Sequence, residues 1–384
     1  MRLFRQLIAV LLCSVLFAEA YVVIACASEP TSASLLGFPE TLCQETPSLP
    51  VTIGDTTTNS NGLCIDLRML EKDAIADIMA SLADLPNLSR IRLSPGSVTL
   101  EELGQLQSLP SRPVVEFPLK LYGKEISTSD EVLDLNKVRI DDGGAALREL
   151  LPYMSACSRL ELVDCGGLGN NTLADLQRDF PAIQVVWRIK FGCYSVLTDE
   201  TRILASIKGK ELTGEMCRAL KYCTKVRYLD LGHNIIDDIS FVQSMPDLEV
   251  AVLAINYWSD ASPLASCKKL EYLEIFNTRC TDLSPLAGLT NLKHLNICWI
   301  KQLEDISPLY SLTGLERLWI GCVNKVPDAQ LAEICDRLPD TSINITTDNP
   351  TSEGWRKHPR YELLCEQMGY NWKQPYSLPS GAFK

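Results

Sequence analysis

The sequence predicts an α/β solenoid: a concave parallel sheet, with helices behind its upstream strands and short helical turns behind its downstream strands. Three observations carry this. A 22-residue pattern recurs from Val226 into the low 340s, each copy holds a short apolar–polar–apolar alternation, and an Asp-x-Ser segment then returns the chain. The copies run Val226–Asp247, Leu248–Lys269 and Leu270–Asn291; Leu292–Gly314 carries one extra residue, and a looser fifth starts at Leu315. A fixed period of this size signals stacked units, because each unit is too small to bury its own apolar side.

In the third copy the apolar positions are Leu270, Leu273, Ile275, Cys280, Leu283, Leu286 and Leu289. The alternation Leu273-Glu274-Ile275 has the period of a strand with one buried face, and successive copies stack as parallel strands about 4.8 Å apart. Asn234 and Asn256 follow the strand, where an amide can satisfy backbone groups leaving the ladder; Thr278 does this less well, and Cys165 takes the equivalent place upstream. Ser262, Ser284 and Ser307 are placed to cap one helical turn, with Pro263, Pro285 and Pro308 at its first position.

Upstream, strand-like cores at Cys64, Ile91, Val132, Leu160 and Ile183 alternate with helical patterns over Glu71–Ala83, Leu100–Leu109, Ala145–Ala156, Thr172–Phe180 and Gly214–Tyr222. An internal duplication at an offset near seventy adds a strand-turn-strand excursion to each copy, about residues 115–135 and 185–204. These read as spacer hairpins extending the sheet, or as binding appendages. Past the repeats, Asp328–Leu338 predicts a helix, Ser342–Ile345 a last strand and Tyr361–Met368 a terminal helix. This region, with the basic-aromatic cluster Trp355–Tyr361, is expected to cap the end of the stack. The organisation is therefore a leader at 1–20, a flank at 21–62, longer units at 63–225, regular repeats at 226–346 and a cap at 347–384.

Arg2 and Arg5, an apolar run from Leu7 to Phe17 and Ala18-Glu19-Ala20 form an export signal. Val23-Ile24-Ala25-Cys26 offers a second reading, lipidation at Cys26 and so a membrane anchor there. Either places the chain outside the cell or on its surface. The net charge of −12, with no long basic stripe, disfavours nucleic acid as a partner. Of fifteen cysteines, Cys157, Cys223, Cys267 and Cys280 fall in apolar slots and read as small buried hydrophobes; only Cys43 and Cys64 suit a terminal clasp.

The pattern L-x-x-L-x-[LI]-x-x-[NT]-x-[IL]-x-D-[IL]-S-P-L resembles the leucine-rich repeats of bacterial internalin-type surface proteins over roughly 226–320, about a quarter of the chain. The resemblance implies a right-handed solenoid and recognition of another macromolecule on the concave sheet.

Side chains flanking the core strand positions project onto that face: Tyr228 and Asp230, then Tyr272, Glu274 and Phe276, then His294, Asn296 and Trp299, then Arg317 and Trp319. Phe276, Trp299 and Trp319 come from adjacent strands and form one patch about 10 Å across. Exposed aromatics ringed by charge suit a protein partner, and their faces also suit sugars. The alternative, that the rings pack under a neighbouring loop or terminus, stays open, as does a spacer with no ligand.

Catalysis is poorly supported. His233 and His294 stand three repeats apart, about 14 Å, too far for one metal or proton relay. No phosphate-binding glycine loop, metal-binding cysteine pair or nucleophile elbow occurs, and no cofactor is implied. His294 beside Glu274 reads as an exposed ion pair.

Overall fold

Short β segments with a large side chain at every second position need a layer on each face, and the chain supplies them by repetition. The structure, a computed structural model, describes residues 50–53, 56–59, 63–68, 74–205, 211–351 and 353–369. The expected export signal with Ala20, the alternative lipidation site at Cys26, and the Cys43 half of the expected clasp lie outside these residues.

The chain divides into two units, the first made of residues up to Leu119 with Glu125–Ser129 and Tyr153–Ala156. In it, β1 (Pro50–Ile53) and β2 (Thr56–Asn59) pair antiparallel, and β3 (Leu63–Asp66), β4 (Leu88–Arg92) and β5 (Val114–Glu116) form a parallel sheet. Helices Ala74–Ala83 and Leu100–Gln107 connect its strands. Leu88, Ile91, Leu103, Leu106 and Val115 fill the core beneath it. The second helix starts at a capping box: the Glu102 amide donates to Thr99 Oγ1, and the Thr99 amide donates to Glu102 Oε2. β6 (Pro118–Leu121) and β7 (Lys124–Ser127) follow as a separate two-stranded sheet.

The second unit holds β8 (Val132–Asp134), β9 (Arg159–Glu161) and β10 (Gln184–Val186) as a parallel trio, with helices Ala145–Leu150 and Asn170–Asp179 between them. β11 (Arg188–Phe191) and β12 (Tyr194–Leu197) pair with each other. Both hairpins stand where the duplication predicts them, but neither extends the sheet. Each strand spends its ladder on its own partner, and the tight turn at Tyr122-Gly123, both at positive φ, closes the first one.

The remaining strands form one parallel sheet of seven: β13 (Arg202–Leu204), β14 (Tyr228–Asp230), β15 (Val250–Val252), β16 (Tyr272–Glu274), β17 (His294–Asn296), β18 (Arg317–Trp319) and β19 (Ser342–Asn344). It begins one strand before the first 22-residue copy. Leu229, Ala251, Leu273, Leu295 and Leu318 are fully buried on its back face. Behind them run 3-10 turns starting at Ser240, Ser262, Ser284 and Ser307, as the short return segments require.

The caps of these turns are not the serines. Asp260 Oδ1 accepts from the Ser262 amide at 2.8 Å, and Asp238, Asp282 and Asp305 accept likewise from Ser240, Ser284 and Ser307. A carboxylate two residues upstream closes an Asx turn, which a hydroxyl does more weakly. Strands β14 to β18 also exit through a left-handed residue: His233, Ile255, Asn277, Trp299 and Cys322 have φ between 53° and 61°. Of these types Asn and His are enriched there, whereas Ile255, being β-branched, is held against its preference.

Asn234 and Asn256 behave as expected. Asn234 Nδ2 donates to the Ala205 and Leu231 carbonyls while its Oδ1 accepts from the Leu212 amide; Asn256 repeats this one turn on. Thr278 reaches only the Ile275 carbonyl, and Cys165 reaches that of Leu135.

Cys157, Cys223, Cys267 and Cys280 are buried free thiols, as their slots predict. Burial pushes the Cys223 and Cys280 thiols up to about 12 and Cys267 up to about 11. A thiol-reactive probe should therefore modify exposed Cys193 and Cys335 in the native protein and reach Cys223, Cys267 and Cys280 only after denaturation. Peptide mass mapping of the labelled protein checks this.

Candidate functional site: the front face of the seven-stranded sheet

In-register pairing lines up two rows of side chains on the face away from the 3-10 turns. Tyr228, Val250, Tyr272, His294 and Arg317 share one register, and Asp230, Val252, Glu274, Asn296 and Trp319 share the next but one. Ten front-face residues were expected to be solvent-exposed, and the structure differs. Tyr272, Glu274, Phe276, His294, Asn296, Arg317 and Trp319 are each at most 5% exposed, Asp230 is buried, and only Tyr228 and Trp299 remain half-buried.

The cover is the C-terminal segment. Helices Glu353–Arg356 and Pro359–Met368 lie on this face rather than at the end of the stack, where the sequence pattern placed them. Trp355, Tyr361, Leu364, Cys365 and Met368 form one buried cluster with Leu204, Val250, Val252, Ala254, Tyr272, Phe276, Cys298 and Trp319. The spacing of Tyr361, Leu364, Cys365 and Met368 puts all four on one side of the helix, while Leu363 faces out. His358 and Pro359 set its start: His358 Nδ1 accepts from the Arg360 amide, and proline fills the first turn, where no amide is needed.

Glu274, Asn296 and Arg317 of the sheet each find a partner on this segment. Glu274, fully buried, accepts from Trp355 Nε1 at 2.8 Å and from both terminal nitrogens of Arg356 at 2.9 and 3.0 Å. The Tyr272 hydroxyl donates to the same carboxylate, and burial together with that charge pushes the phenol well above its usual range. Asn296 Nδ2 donates to the Pro350 carbonyl, and Arg317 donates to the Gly354 and Trp355 carbonyls. The Arg317 guanidinium also lies 4.1 Å from the Trp355 ring centre. At the rim Arg360 pairs with the half-exposed Glu316.

Two glycines permit the close approach. A Cβ at Gly354 would stand 3.2 Å from Trp319, and one at Gly321 only 2.0 Å from the Thr347 carbonyl oxygen. Gly321→Ala should accordingly destabilise the protein by about 1–3 kcal/mol by overpacking, measured by chemical denaturation.

The expected exposed pair of His294 with Glu274 does not form, because Arg356 takes the carboxylate. His294 Nδ1 instead accepts from Arg317 Nε at 3.1 Å, and its Nε2 lies 3.3 Å from Glu316. Burial, then Arg317 and Arg360, push its imidazole down to about 3. Burial lowers His233 and His358 as well, helped by Arg356 and Arg317 respectively. Phe276 and Trp319 do share a patch with Trp299 at its margin, as the strand order predicts, but the patch is an interior. Among the described residues no group of three or more His, Cys, Asp or Glu side chains is placed to hold a metal ion, and no helix is long and apolar enough to cross a membrane.

The fold is that of a leucine-rich-repeat protein. The seven parallel strands at one-repeat spacing, four of them followed by a 3-10 turn that starts at serine, decide it. No family model matches the chain. It is similar to a mouse protein, cilia- and flagella-associated protein 410, at 35% identity over 77 residues, 20% of this chain and 31% of that one. The chain thus spans about a third of the length of that curated relative. Among solved structures it is similar to the internalin inlF of Listeria monocytogenes, at 19% identity and TM-score 0.31 over 71% of this chain and 67% of that one. Internalin C2 of the same organism gives 21% and 0.32 over 59% and 88%.

Proposed function

We propose that the chain is an exported, non-enzymatic leucine-rich-repeat protein that binds a protein partner through the concave face of its regular repeats. One observation supports this above the rest: that face holds a helical protein segment by a tryptophan, two arginine contacts and a row of apolar anchors. Buried aromatic and arginine anchors are what protein-recognition surfaces use. A solenoid offers such a face without any change to its core. The sugar-binding reading loses support, since Phe276 and Trp319 have no free ring face while the segment covers them.

The test is crosslinking of the full chain in extracts of its own cells, with mapping of the attached sites. A partner linked at residues 228–324 on the strand side supports the reading; partners linked only to the 3-10 turns contradict it. Export is tested by the mass of the mature N-terminus, which separates cleavage after Ala20 from lipidation at Cys26.

A further inference from the structure

We propose that residues 350–369 are an intramolecular stand-in for the partner: a displaceable strap that keeps the recognition face closed until a competing basic-aromatic helix takes its place. This rests on the concave face being the recognition surface, and it adds the partner's chemistry and the means of control.

Three features carry it. First, the strap has the form of a ligand. Its helix offers anchors at i, i+3, i+4 and i+7 (Tyr361, Leu364, Cys365 and Met368), the pattern by which an amphipathic helix enters a groove. Second, charge is complementary across the contact. Arg356 and Arg360 meet Glu274 and Glu316, so the face selects a helix with basic residues beside a tryptophan. Third, the stack has a second core that the strap does not touch. Leu229, Leu273, Leu295 and Leu318 are buried against the 3-10 turns, so lifting the strap uncovers one face and leaves the repeats joined. Residues 345–351, which join strap to stack, contain no helix or strand, and the Asn296 bond to the Pro350 carbonyl opens with the strap.

The competitor's apparent affinity falls in proportion to the fraction of molecules whose face is open. Loss of a strap anchor must therefore tighten binding rather than weaken it, a sign that a purely structural cap does not predict.

The probe is a fluorescent synthetic peptide of residues 350–369, titrated into the full chain and into full-length Trp355→Ala, with anisotropy as readout. The variant is expected to bind the peptide at least about tenfold more tightly than the unaltered chain. Adding Glu274→Gln should remove that gain. A variant that melts cooperatively and binds no better than the unaltered chain overturns the proposal.

Should Trp355→Ala fail to fold, hydrogen exchange on the unaltered chain decides. Amides of Tyr361–Met368 are expected to exchange at least about tenfold faster than those of β15 and β16 through a local opening. Equal rates would mean that the strap opens only with global unfolding, and would overturn the proposal. A dimer that dissociates when the peptide is added would assign the face to a second copy and also overturn it. If the peptide fails while a partner crosslinks to the front face, the strap proposal falls and the functional reading stands. If partners crosslink only to the back, the functional reading itself falls.

Discussion

Glu274→Ala is expected to lower the unfolding free energy by about 3–5 kcal/mol, the largest single-residue effect in the regular repeats. The carboxylate is fully buried and receives the Tyr272 hydroxyl, the Trp355 indole and both arms of Arg356. Truncation leaves the guanidinium without its counter-charge and two donors without acceptors, each costing about 1–3 kcal/mol. Arg356→Ala should cost nearly as much, and the double variant little more than either alone. A double-mutant cycle by urea denaturation measures that coupling. Additive losses would show that the pair does not act as a unit.

The second large effect is expected in acid. His294 is buried and its imidazole is held near 3, against an ordinary value of about 6.5. The folded state therefore binds fewer protons than the unfolded chain between these values. The histidine contributes stability that is complete above about pH 6.5 and is lost progressively as pH falls toward 3. The slope for one such group is at most about 1.4 kcal/mol per pH unit. Glu316, 3.3 Å from Nε2 and half-exposed, lessens it by offering the imidazolium a partner. Arg317, Arg360 and His358 oppose that protonation. His233 and His358 shift in the same direction, so all three histidines of the chain resist protonation around the strap. Melting curves from pH 7 to 4 should show a falling Tm, and His294→Gln should flatten that fall.

Much of the fold was legible because repetition exposes it. The strand positions in Val226–Gly314, the two asparagine contacts and the buried cysteine slots follow from a pattern that holds four times over. The hairpins were legible as duplications, but their effect on the sheet was not, since an antiparallel pair and a sheet extension share the same alternation. The Asp caps are present in every Asp-x-Ser segment, but the serine beside them looks the nearer acceptor.

The strap escaped for a different reason. Glu274 and Arg356 stand 82 residues apart, and no local rule joins them. Two signals were nevertheless present. Val250, Val252, Ala254, Tyr272 and Phe276 make the front of β15 and β16 far more apolar than a solvated face needs to be. Tyr361, Leu364, Cys365 and Met368 form an apolar helix face with nothing local to bury against. Each apolar surface is the other's missing layer.

The position of the strap is tested most directly by placing a photo-crosslinking phenylalanine analogue at Tyr361 of the full chain and sequencing the joined peptides. A strap on the front face links residue 361 to the segment holding Tyr272–Phe276. Links confined to residues 326–346, at the end of the stack, would show an end cap and contradict the account.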